Sequence, residues 1–406
     1  MLSKTIDAYL DSYRGLSKEI WLLSLITFIN RAGTMVIPFL SLYLTTSLGF
    51  SLTQVGWVMT AFGAGSILGA WLGGKLTDKI GYYPVMLWSL VTGGMAFILI
   101  QFISTFLVFC VGVFLLTLFA DMFRPAMYVS VSAYSKEENY TRSTTLIRLA
   151  INLGFSMGPA IGGFIIASAG YSWLFWADGA TCLAGAFLFF YLFSPKDSEK
   201  KKATNTEKNA VRSPYSDMPY MIFLVIIFLT AVIFLQLFGT VPLYYKTVHG
   251  LSESSIGWLI ALNGMIIFIL EMPLISFLEK RKYNKIKIIW WGTLLFGLGF
   301  WVFNMTAWSG VLLISMLFLT VGEMLVFPFA NSFAMDRSKG GNPGEYMALF
   351  PIAFSAAHIM GPNMGMQLIE NFGYTFTWNI MMLIATITLG LCYLLFIRLK
   401  NDEHSH

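Results

Sequence analysis

Apolar residues run along this chain in long uninterrupted blocks, and polar residues are confined to short stretches between them. A helix rises about 1.5 Å per residue, so a block of about 20 residues crosses the ~30 Å hydrocarbon core of a bilayer. Twelve such spans are predicted, near 20–47, 53–77, 83–103, 106–134, 144–168, 172–194, 218–247, 254–279, 286–304, 308–335, 345–369 and 374–398. Several exceed the crossing minimum, which implies tilt or extension past the bilayer. The short alternating segments of a membrane β-barrel do not occur.

Composition strengthens this picture. The chain is 57% hydrophobic and 12% charged, against about a quarter charged in an average soluble domain. Cys110, Cys182 and Cys392 all sit inside apolar blocks, so they read as packing residues rather than a disulfide or metal set. The first twenty residues lack an apolar stretch followed by a small-residue cleavage site, so no signal peptide is expected. Net charge is +5, but its distribution says more. Lys and Arg collect in alternate connections: Lys4, Arg14 and Lys18; Lys75 and Lys79; Lys136 and Arg142; the segment 195–217; Lys280 to Lys287; Arg337 and Lys339; Arg398 and Lys400. The other connections are nearly free of them, Lys246 being the exception. The positive-inside rule then places both termini and the 195–217 linker in the cytoplasm of a cell with a plasma (inner) membrane. That linker, polar and lysine-rich, divides the chain into 1–194 and 218–406, with six spans in each.

The two halves repeat one another. Pro125 and Pro328, Gly158-Pro159 and Gly361-Pro362, Gly162 and Gly365, and Gly170-Tyr171 and Gly373-Tyr374 are all 203 apart. "GFSLTQVGW" at 49–57 matches "GLSESSIGW" at 250–258. An offset of 203 held from Pro125 to Tyr171, with 201 for the earlier match, implies a duplicated six-helix unit, one of the repeat plans of secondary transporters. The expected fold is all-α, with twelve transmembrane helices in two pseudo-symmetric six-helix bundles.

Between spans 2 and 3, "GKLTDKIGYYPV" resembles the loop signature of the major facilitator superfamily, matched at Gly74, Leu76, Asp78, Lys79, Gly81 and Pro84. Two positions usually basic in that signature are Tyr82 and Tyr83. The resemblance covers span count, linker, repeat and motif, and implies a transporter working by alternating access. Asp78 at the end of span 2 is placed to accept hydrogen bonds from a neighbouring helix N-terminus and so to latch one conformation; an ordinary turn is the alternative. Gating is therefore assigned to Gly74, Asp78, Lys79 and Gly81. It is assigned also to span 5, where "NLGFSMGPAIGG" puts Gly154, Gly158 and Gly162 on one face beside Pro159. A face of small residues lets another backbone approach closely. In the superfamily such a segment resembles the antiporter signature, thought to seal spans 5 and 8 against leak.

Charges inside a membrane are costly and by default mark a pathway. Asp121 and Arg124 lie three apart in span 4 and share a helical face; "ADMFRPAM" resembles the superfamily's span 4 signature, whose Arg is tied to proton coupling. Asp121 is read as the proton carrier and Arg124 as its tuner, with a static pair to Arg31 or Arg148 as the alternative. Glu323 near the middle of span 10 is the candidate of the second half, with Glu271 in span 8 behind it. Arg148 reads as snorkelling. Asp178 reads as a solvated residue in preference to an outer gate. Asn30, Arg31, Tyr43, Phe238, Asn263 and Phe327 are the candidate substrate-cavity residues. Phe39 and Tyr244 are further aromatic candidates for the cavity wall, with core or lipid-facing packing the commoner fate of any one of these aromatics. Tryptophans near span ends suggest an interfacial belt. His358 reads as a packed histidine.

No Walker-type loop, metal-spaced cluster or catalytic triad occurs, so neither an enzyme, a cofactor nor a nucleic-acid partner is expected. The expected partners are a small-molecule substrate, protons and the bilayer, and the resemblance implies a monomer. The reading is proton-coupled export of amphipathic small molecules by antiport. The alternative is a symporter importing a small polar nutrient such as a peptide or organic anion, for which Arg31 and Arg124 would bind the anionic group. A non-transporting receptor on the same fold is the third possibility.

Overall fold

The computed structural model describes residues 16–135, 139–193, 213–281, 283–306, 308–338 and 343–404. The chain termini and most of the 195–217 linker lie outside them. The described residues are helical almost throughout, with no strand among them.

Span 1 is two helices, Lys18–Ala32 and Val36–Leu42, the second continued by a π turn at Tyr43–Ser47. Span 2 is Leu52–Ile80 and span 3 Tyr82–Ile100. Span 4 bends at Met122 between Phe106–Asp121 and Phe123–Tyr134. Spans 5 and 6 are Tyr140–Ala169 and Tyr171–Leu192. Span 7 is broken into Met218–Phe234, Gln236–Gly239 and Val241–Thr247. Spans 8, 9 and 10 are Glu253–Lys280, Lys285–Trp301 and Gly310–Ser338. Spans 11 and 12 share Pro343–His404, divided at Gly373, whose φ of 79° is left-handed. Gly170, 203 residues earlier, has φ 91° and divides spans 5 and 6 in the same way. Only glycine adopts such angles without strain, so the repeat in sequence is also a repeat in backbone conformation.

The chain forms two compact units, one of Met1–Ile37 with Ala64–Thr204, the other of Pro38–Gly63 with Asn205–His406. In the first, span 1 packs on span 5 and span 3 on span 6. Its core includes Ile20, Phe123, Met127 and Phe189. Tyr82 and Tyr83, where the superfamily signature is usually basic, join this aromatic core: the Tyr82 ring meets Tyr134 at 5.7 Å and the Tyr83 ring meets Phe189 at 4.9 Å. The second unit is centred on Trp378, fully buried among Tyr244, Phe300 and Phe303. Trp378 therefore departs from the interfacial belt. Trp88, Trp258 and Trp308 are more than 60% exposed and fit it. Leu107, Phe164 and Phe187 also face outward, as helices solvated by lipid require. Lys246, the cation out of pattern, pairs with Glu253 at 2.8 Å.

Both units place a glycine face on their first helix. In the first unit, a Cβ at Gly154 would lie 2.6 Å from Arg31 Cβ and 2.8 Å from Ala32 N, and one at Gly158 would lie 3.1 Å from Ala32 O. In the second, a Cβ at Gly361 would lie 3.2 Å from Val232 O, and one at Gly365 would lie 2.0 Å from Gln236 Oε1. The duplicated Gly-Pro segment thus packs closely on the first helix of each half.

Candidate functional site

The first unit gathers its membrane charges around the break in span 1. Helical bonding ends at Gly33, whose N–H donates to Ile29 O at 3.0 Å, and resumes at Val36. Arg31, 9% exposed, is in electrostatic reach of Asp121, Arg124, Tyr128 and Cys182. Its Nε has no hydrogen-bond partner among the described residues, and its guanidinium lies 5.6 Å from the Phe155 ring centroid. Asn30 Nδ2 donates to Cys182 Sγ at 3.5 Å. Asp121 is half-buried and Arg124 exposed. Met122, between the two helices of span 4 and shortly before Pro125, lies between these two residues in sequence. Arg148 is exposed.

Asp178 corrects its sequence reading. It is fully buried, not solvated. Its Oδ1 accepts from Met35 N at 3.0 Å and its Oδ2 from Val36 N at 2.9 Å. These are N–H groups that the break in span 1 leaves without helical acceptors. Neither the apolar neighbourhood of Asp178 nor the distant Gly33 signals this contact in sequence, because it depends on spans 1 and 6 lying together.

In the second unit the acidic site joins spans 8 and 10. Asn263 Nδ2 donates to Glu323 Oε2 at 3.1 Å and to Thr320 Oγ1 at 3.0 Å. Glu323 is half-buried and Asn263 is 5% exposed. Glu271 lies in electrostatic reach of Glu323. One turn from Glu323, Phe327 packs against Phe234 at 4.9 Å and Phe354 at 5.6 Å. Phe238 meets Phe234 edge-on at 5.8 Å. A carboxyl held by an amide, one helical turn from a cluster of phenyl rings, is suited to an organic cation or a proton, either of which neutralises it. Thr320 and Phe354 were not singled out by sequence, though Thr320 lies one turn before Glu323. Tyr43, Phe39 and Tyr244 are buried within the second unit.

Among the gating residues, Asp78 and Lys79 are exposed, and a Cβ at Gly74 would meet nothing within 4 Å. Gly81 turns the chain with φ 86°, its N–H donating to Thr77 O at 3.0 Å. Pro159 sits inside the span 5 helix and Gly162 is buried. The second unit also fastens the 52–63 part of span 2 to span 11. Thr60 Oγ1 donates to Ile359 O at 3.1 Å, and Asn363 Nδ2 donates to Thr60 Oγ1 at 2.8 Å. Gln367 Nε2 donates to Asn363 Oδ1 at 2.8 Å. His358 stacks on Phe62 with ring centroids 5.7 Å apart.

The sequence pattern of the Major Facilitator Superfamily matches residues 20–362. A Na(+), Li(+), K(+)/H(+) antiporter of Planococcus maritimus is 23% identical over 387 residues, covering 86% of this chain and 89% of its own. The quinolone resistance protein NorA of Staphylococcus aureus is 24% identical over 282 residues, covering 69% and 71%. Among solved structures, a peptide transporter POT in complex with sulfate superposes with a TM-score of 0.77 at 17% identity, covering 94% of this chain and 96% of that one.

Proposed function

The chain belongs to the major facilitator superfamily, a transporter working by alternating access on a small-molecule substrate, and on that premise we propose that it is a proton-coupled antiporter exporting amphipathic small molecules across the plasma membrane, with both termini in the cytoplasm. The observation that carries this reading is Glu323, held by Asn263 beside the Phe327 ring cluster. A lone carboxylate charge is costly there. A cationic, partly apolar substrate meets both the charge and the rings. A proton arriving on the same carboxyl removes the attraction, so the two ligands compete and one drives the other out. Asp121, beside Arg31 and Arg124, is the proton-carrying partner in the first unit. The names of the antiporter and drug-resistance relatives support export by exchange.

The test is transport in proteoliposomes under an imposed pH gradient, with lipophilic cations and dipeptides as substrates. Wild type is expected to move the cation against the proton flow. Glu323→Gln is expected to lose cation transport by about tenfold or more, and Asp121→Asn to uncouple it from the gradient. Arg31 supports a second reading, since its unbonded Nε suits an anionic group. Dipeptide uptake together with protons would establish that symport and sink the antiport reading.

A further inference from the structure

We propose that Asp178 of span 6 is a positioning residue for Arg31, its carboxylate holding the break in span 1 at the geometry that aims Arg31 toward Asp121 and Arg124. Both carboxylate oxygens are committed to the break, at Met35 N (3.0 Å) and Val36 N (2.9 Å). Span 6 presses on the same break one turn later: a Cβ at Gly33 would lie 1.8 Å from Thr181 Oγ1. Gly154 presses from the opposite side, against Arg31 itself. Thr34 Oγ1 donates to Arg31 O. The backbone of residues 31–36 is thus fixed from span 5, from span 6 and from within, and the only ionisable side chain bonding it among the described residues is Asp178.

The second half provides an internal control. Span 7 is interrupted only at Leu235 and Thr240, both with right-handed helical angles, and the polar side chain between them is neutral. Gln236 Nε2 donates to Val232 O at 3.1 Å and to Gly361 O at 2.7 Å, and Gln236 Oε1 accepts from Thr240 Oγ1 at 3.0 Å. Position 381, which is 203 residues after Asp178, is a fully buried Met. The first helix of the second half therefore passes this region without a buried carboxylate. The first half carries one where the next helical turn holds Arg31, and the second half, with Val232 to Phe234 in that turn, does not. A buried charge kept at that cost marks function.

The inference rests on the reading that Arg31, Asp121 and Arg124 act together in coupling, and the test separates the two. In proteoliposomes, Asp178→Asn, Arg31→Gln, the double variant and Asp121→Asn are compared for rate and KM of cation transport. Asp178→Asn keeps the shape but turns an amide N–H toward a backbone N–H. It is expected to lower the maximal rate about tenfold, with the double variant no slower than Arg31→Gln alone. A loss that multiplies with that of Arg31→Gln, or no loss at all, overturns the proposal. In a cysteine-free background, labelling of Arg31→Cys by a small thiol reagent reads the backbone position directly and independently of coupling. Asp178→Asn is expected to change that labelling rate severalfold; an unchanged rate overturns the proposal. If Arg31→Gln and Asp121→Asn leave coupling intact while the labelling changes, the coupling reading fails and the positioning stands. Should Asp178→Asn not fold, Val36→Pro removes one donor at a first helical position, where Pro is tolerated. It is expected to change the labelling in the same way, and normal labelling in that variant overturns the proposal.

Discussion

One added methyl group distinguishes glycines that hold the fold from glycines that do not. Gly154→Ala puts a Cβ 2.6 Å from Arg31 Cβ and 2.8 Å from Ala32 N, and the second of these is backbone that cannot swing aside. Overpacking of that kind costs about 1–3 kcal/mol, so thermal unfolding in detergent is expected to shift down by several degrees. Gly74→Ala meets nothing within 4 Å and sits inside a helix, where Ala is favoured over Gly by up to about 1 kcal/mol. Its unfolding temperature is expected to hold or rise slightly. A drop as large as that of Gly154→Ala would show that Gly74 is packed after all. The fourfold spacing of Gly154 and Gly158 was legible in sequence because helical periodicity alone puts them on one face. That they receive span 1 was not, because the sequence carries no mark of which backbone approaches. Asp178 was misread for the same reason. A carboxylate near a span end looks solvated until its two N–H partners, more than 140 positions away, are brought to it.

At the scale of the element, each half ties the start of its first helix to the end of its fourth. In the first half Ser17 caps span 1 through Ile20 N at 3.3 Å, and its hydroxyl donates to Tyr134 O at 2.9 Å. In the second, Asp217 caps span 7 through Tyr220 N at 3.4 Å and takes Arg337 Nε and Nη2 at 2.7 and 2.8 Å. Tyr346 Oη adds a fourth bond to Asp217 at 2.8 Å, and Tyr220 Oη donates to Tyr346 O. Arg337 and Tyr134 are 203 apart, so the duplication kept the position and changed the chemistry. Asp217 is 1% exposed on its side chain and Arg337 21%. Removing one partner of a buried ion pair costs about 3–5 kcal/mol, because the other charge stays buried alone. Arg337→Gln and Asp217→Asn are each expected to lower the unfolding temperature clearly more than Gly154→Ala does. Arg337→Lys, lacking the planar fork, is expected to recover only part of the loss. Equal stability of Arg337→Gln and wild type would mean that the pair contributes nothing. In sequence Arg337 served only as a cytoplasmic marker. Its charge was legible through the loop asymmetry, whereas its bond to Asp217 depends on how spans 7, 10 and 11 pack.

At the scale of the whole molecule, span 2 is one unbroken helix whose residues up to Gly63 belong to the second unit and whose residues from Ala64 belong to the first. Its first part is held by contacts that run in register along span 11. Thr53 N donates to Glu370 Oε2, a Cβ at Gly56 would lie 3.2 Å from Asn363 Cα, Thr60 bonds Ile359 and Asn363, and a Cβ at Gly63 would lie 3.0 Å from His358 O. Hydrogen bonds between membrane helices average only about 0.6 kcal/mol each, so this fastening is strong enough to order the segment and weak enough to release. Alternating access needs such a contact to break once per cycle, because a permanently closed end passes no substrate. Thr60→Cys with Asn363→Cys, bridged by a short bifunctional methanethiosulfonate that forms a disulfide with each thiol and releases methanesulfinate, locks the contact until it is reduced. The native thiols Cys110, Cys182 and Cys392 lie in spans 4, 6 and 12, away from it. The bridged protein is expected to bind substrate but to lose transport, and the same protein, unbridged by a reducing agent, to recover it. Full transport while bridged would show that span 2 stays on span 11 throughout the cycle, and that the movable contact must be sought elsewhere in the chain.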